Sequence, residues 1–65
     1  MKTWEEFEEL FRDKTASGYN AMIVVKDGSY YFARSYQVLG TKIYLFNAET
    51  QIIGDVKLSD IKSVE

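Results

Sequence analysis

Apolar residues recur at Trp4, Phe7, Leu10 and Phe11, with Lys14 next in the series. This is the three-and-four spacing of one helix face, and Glu5, Glu6, Glu8, Glu9 and Asp13 fall elsewhere around the cylinder. Thr3 precedes the stripe and Glu6 follows it by three, the capping-box arrangement in which the Thr3 hydroxyl accepts from the Glu6 amide. Early acids and the late bases Arg12 and Lys14 suit the helix dipole, so a helix is expected over 2–15. Thr15-Ala16-Ser17-Gly18 forms a turn-rich exit.

From Ala21 the period changes from helical to alternating. The stretch Ala21–Tyr36, AMIVVKDGSYYFARSY, reads as two apolar strands joined at Asp27-Gly28, a strong signal for a tight type I′ turn. Such a turn sets Lys26 against Ser29, Val25 against Tyr30, Val24 against Tyr31, Ile23 against Phe32 and Met22 against Ala33. One face then carries Ile23, Val25, Tyr30 and Phe32, the other Met22, Val24, Tyr31 and Ala33, so both need cover. Tyr36–Gly40 continues the second strand, and the small residues Ala33 and Ser35 allow it to bend. Thr41–Phe46 and Gln51–Val56 form the next hairpin around Asn47–Thr50. Phe46 is expected opposite Gln51 and Lys42 opposite Asp55, which places Ile43, Leu45, Ile52 and Val56 on one face and Tyr44, Phe46 and Ile53 on the other. In the closing LSDIKSVE, a short helical turn points Leu58 and Ile61 inward ahead of a last short strand.

One helix cannot cover a flat five-stranded sheet. The pattern therefore predicts an α+β fold, an N-terminal amphipathic helix followed by a strongly bent five-stranded antiparallel sheet or small barrel. Residues 1–65 form a single domain, with the helix at 2–15 and the β-barrel at 20–65. Ile23, Val25, Phe32, Ile43, Leu45, Ile52 and Val56 fill the interior, and the helix docks outside or plugs an open end.

Composition narrows the chemistry. A chain of 65 residues lies near the lower size limit for an unaided hydrophobic core, and this one has no Cys and no His. Disulfides, the usual zinc sites and imidazole acid–base catalysis are thereby excluded. Net charge is −2, which provides no overall attraction to nucleic acid or to an anionic membrane. No apolar run approaches the ~20 residues of a transmembrane span and no charged-then-apolar leader is evident, so the expected compartment is the cytoplasm. Asp27, Asp55 and Asp60 have no suggestive partners, and no phosphate-cradling glycine loop is found. The expectation is a non-enzyme without cofactor or metal.

The order of helix, strand, Asp-Gly turn, long bendable strand, two further strands and terminal LSDIKSVE resembles the Sm-like and Src-homology-3-type (SH3-like) small barrels, in which a helical turn commonly leads into the last strand. The resemblance implies a small barrel and, on its Sm-like side, single-stranded RNA or DNA binding. Val38-Leu39-Gly40-Thr41 stands where Sm-like proteins present Asp and Asn to RNA.

Three surfaces are candidates for function. Met22, Val24, Tyr31, Tyr44, Phe46 and Ile53 offer more apolar surface than one short helix hides, which suits an interface with another protein or a second copy. Strand edges offer the same opportunity, with Thr41–Phe46 guarded by one charge. Glu5, Glu6, Glu8, Glu9 and Asp13 form an acidic face suited to a basic partner, or simply the solvated side of a helix. Lys26, Tyr31, Arg34, Tyr36, Lys42 and Tyr44 interleave rings and bases as a single-strand nucleic-acid platform does, or serve strand packing alone. The sequence thus points to a protein–protein interaction module of regulatory or inhibitor type, with nucleic-acid binding as the alternative.

Overall fold

In the computed structural model, which describes residues 3–65, helix α1 spans Trp4–Thr15. Thr3 caps it, its hydroxyl accepting from the Glu6 amide at 3.1 Å, and the expected start at position 2 lies outside the described residues. A cap contributes about 1 kcal/mol, and a 12-residue helix is marginal alone. Burial holds it: Phe7 and Phe11 are almost wholly enclosed, roughly 2–3 kcal/mol each. Trp4 and Leu10 pack at the margin of the same core.

Six strands follow: β1 (Ala21–Val25), β2 (Tyr30–Ala33), β3 (Ser35–Leu39), β4 (Lys42–Phe46), β5 (Ile52–Lys57) and β6 (Ile61–Val64). They form two antiparallel three-stranded sheets, ordered β2-β1-β6 and β3-β4-β5. This corrects the single five-stranded bent sheet and the closed barrel. The long second strand does bend between Ala33 and Ser35, and the break at Arg34 divides it into an edge of each sheet. The Arg34 amide donates to Phe46 C=O at 2.8 Å, so Arg34 and Ser35 both stand against Phe46, as in a β-bulge. The turn at Leu58–Asp60 delivers β6 to β1, with Ile61 buried and Leu58 against the core.

The β1–β2 register differs from expectation by one residue. Val25 N–H donates to Ser29 C=O at 2.8 Å and Gly28 N–H to Val25 C=O at 2.9 Å, leaving a three-residue loop with Gly28 at φ +95°. This is a turn closed by a left-handed glycine, not the two-residue type I′ form. Ile23 therefore faces Tyr31 and Met22 faces Phe32. A one-residue slip reverses every side chain of β2: Tyr31 and Ala33 turn inward, while Phe32 leaves the expected interior and is exposed.

The β4–β5 register is displaced by two, with Ile43 against Val56 and Tyr44 against Asp55. An even shift preserves the faces, so Ile43, Leu45 and Val56 are buried as expected. A bulge between Leu45 and Phe46 exchanges two neighbours, however: Ile53 packs on the core and Ile52 is exposed. Lys42 is diagonal to Asp55, at 3.8 Å, an ion pair half in water and contributing under about 1 kcal/mol. β4 is the central strand of its sheet, so its edges are taken and the augmentation site expected there does not exist.

The core lies between the sheets, formed by Ala21, Ile23, Ala33, Ile43, Leu45, Val56, Ile61 and Val64 with the two helix rings. Helix α1 touches β1 and β6 of one sheet. Phe7 and Phe11 meet Tyr36 of the other edge-on, at 4.9 and 4.8 Å between centroids. The helix therefore plugs the open side between the sheets and leaves Met22 and Val24, on the outer face, uncovered.

Two positions test this packing. A β-carbon on Gly54 would stand 2.5 Å from Cε1 of Tyr31, so Gly54→Ala is expected to destabilise by about 2–3 kcal/mol through overpacking. In a urea-denaturation double-mutant cycle, Tyr31→Ala should remove most of that penalty. Thr50 holds a left-handed φ of 60°, unfavourable for a β-branched residue by about 1–2 kcal/mol. It is kept there by Asn47, whose Oδ1 accepts from Glu49 N–H at 3.0 Å and Gln51 N–H at 2.9 Å. Thr50→Gly should raise unfolding stability by about 0.5–1 kcal/mol.

Candidate functional site

The outer sides of both sheets carry apolar side chains that the helix does not reach. On the first sheet, Val24 opposes Tyr30 and Met22 opposes Phe32. Tyr30 and Phe32 are 59% and 53% exposed, with their rings edge to face at 5.6 Å, over a half-buried Met22 and Val24. On the second, the ladders place three rows side by side: Ser35, Phe46 and Ile52; Gln37, Tyr44 and Asp55; Leu39, Lys42 and Lys57. Leu39 and Ile52 are 68% and 62% exposed and, with Gln37, Tyr44 and Phe46, line an open groove of about 230 Å³. The continuous run from Tyr30 to Leu39 passes from one patch to the other through the bend at Arg34.

Of the six expected interface residues, Met22, Val24, Tyr44 and Phe46 lie on these outer faces, half-buried. Tyr31 and Ile53 instead pack on the core. The most exposed members, Tyr30, Phe32, Leu39 and Ile52, were not among the expected residues. The local signal for the first two is Ser29, whose amide donates to Asp27 Oδ1 at 2.8 Å and fixes the three-residue loop. That bond holds the Asp27 carboxyl below its ordinary pKa.

The acidic residues Glu5, Glu6, Glu8, Glu9 and Asp13 are exposed on α1. A shallow depression of about 530 Å³ lies on the helix among Glu9, Leu10, Arg12, Asp13 and Ala16, so its border carries both signs. The six nucleic-acid candidates do not share a face. Tyr31 and Tyr36 pack on the core, Lys26 is in the β1–β2 turn, and Arg34 at the bend donates through Nε to Asn20 Oδ1 at 3.1 Å. Lys42 and Tyr44 alone lie together on the outer side of the second sheet.

Among the described residues no group of three or more His, Cys, Asp or Glu is placed to hold a metal ion, and no helix is long and apolar enough to cross a membrane. No family model, curated protein or solved structure matches the chain.

Burial, and secondarily the Glu8 carboxylate, raise the Tyr36 phenol above its ordinary 10.0, with Arg12 opposing. A phenol with a raised folded-state pKa stabilises the fold fully below the unfolded value and loses that contribution as pH rises through the folded value. The urea midpoint is therefore expected to fall above about pH 10, and to fall less steeply for Tyr36→Phe.

Proposed function

We propose that this chain is a small binding module of the SH3-like type that acts on another protein, in a regulatory or inhibitory capacity, by occupying a surface and not by chemistry. The SH3-like reading is supported by the order of elements: one bent run shared by two three-stranded sheets, and a single helical turn before the last strand. A chain without Cys or His is poorly equipped for nucleophilic or acid–base catalysis.

The single observation that carries the binding reading is the groove on the second sheet, flanked by two large aliphatic side chains that are more than half exposed. Covering an exposed Leu or Ile yields up to about 1.5–3 kcal/mol, and aromatic floors such as Tyr44 and Phe46 are characteristic of interface centres. The split placement of the Tyr, Lys and Arg candidates argues against a stacking platform for single strands, which needs rings and bases along one track.

Affinity capture from the native host tests the proposal, with the wild type and Ile52→Lys compared as bait. Ile52 is exposed but faces Phe46 across the ladder, so the urea midpoint should fall by no more than about 1 kcal/mol. A protein held by the wild type should be depleted at least about tenfold by the variant, a loss of about 1.4 kcal/mol in affinity. Equal recovery by both baits would remove this face from the binding site.

A further inference from the structure

Resting on that reading, we propose that the occupant of the groove is a short segment of another protein with a large apolar side chain flanked on one side by acidic residues, which lie over Lys42 and Lys57. The dimensions favour a segment. About 230 Å³ is below the usual range of small-molecule pockets and suits one or two anchoring side chains. Three strands of about five residues make a face of roughly 14 by 17 Å, or ~240 Å². A second globular copy would need about 800 Å² per partner. A stable dimer would therefore need more than this face.

The charge pattern sets which end of the groove the acidic residues occupy. Lys42 stands directly opposite Lys57 across the β4–β5 ladder, and like charges in that position weaken a sheet. Asp55 reaches Lys42 alone, at 3.8 Å and half in water, so one positive charge stays uncompensated at the Leu39 end. At the other end, past Ile52, the β4–β5 loop contains Glu49. An acidic residue beyond the anchor thus finds attraction at one end of the groove only.

The probes are two decapeptides with Leu-Trp at the centre, one followed by three glutamates and the other by three lysines, titrated against the ¹⁵N-labelled protein. The glutamate peptide should shift the amides of Leu39, Tyr44 and Ile52 and bind roughly fivefold tighter at low salt. Salt should erase the difference, and Lys57→Glu should reverse it with the urea midpoint equal or higher, since the repulsion with Lys42 is removed. Equal affinities, shifts confined to other faces, or no shift at about 1 mM peptide would overturn the proposal. So would sedimentation showing a dimer that Ile52→Lys dissolves, since the occupant would then be a second copy. If a host protein is lost with Ile52→Lys but retained by Lys57→Glu, the binding module stands and its acidic partner does not.

Discussion

The three-residue length of the β1–β2 loop decides which side of β2 faces the core, and the rest of the structure depends on that choice. With Gly28 at φ +95° the loop holds three residues, and Tyr31 turns inward to lie over Gly54 of β5. That contact joins the two sheets where their strands do not hydrogen-bond. A two-residue loop would direct Tyr30 and Phe32 inward instead, placing two large rings where the bare backbone of Gly54 makes room for one. The core and the exposed aromatic pair are thus set by the same loop.

Two three-stranded sheets of this length leave an opening between them, and the aliphatic residues facing it are too few to close it. The helix closes it with aromatic volume. Phe7 and Phe11 each make a T-shaped contact with Tyr36 at under 5 Å between centroids, a geometry that adds about 0.5–1.5 kcal/mol per pair to the area buried. Tyr36 follows the bend at Arg34, so the helix contacts both sheets across it. The acidic surface of the helix faces water and has no part in this.

Much of the architecture was legible in the sequence, and the failures have one physical origin. The helix stripe, the Thr3 cap, the bend near Ala33 and Ser35, and the turn before the last strand all follow from local chemistry. Strand register does not, because it depends on how many residues a turn consumes. Asp27-Gly28 fits a two-residue or a three-residue loop, and the choice rests on Ser29 bonding back to Asp27. The Asn47 loop was harder, since a threonine occupies the left-handed position usually given to glycine. Its error was an even number of residues, which preserved the faces of β4 and β5 apart from the exchange of Ile52 and Ile53 at the bulge. The odd error in the first hairpin put Phe32 inside and Tyr31 outside, and with them half of the aromatic surface.

The two outer patches do not carry equal weight as sites. Tyr30 faces Val24 and Phe32 faces Met22 across the β1–β2 ladder. Aromatic residues opposite apolar neighbours stabilise a sheet by about 0.2–1 kcal/mol per pair, so folding alone explains their presence despite their exposure. Leu39 has no such explanation. It adjoins the Gly40 turn, its partner across the ladder is Lys42, and more than two-thirds of its surface is in water. Leucine at that position neither fills the core nor completes an apolar cross-strand pair, and Lys57 beyond it adds a repulsion that folding does not need. Leu39 and Lys57 at that end of the second sheet have no explanation in folding, which is why the proposal rests on the groove and not on the larger aromatic pair.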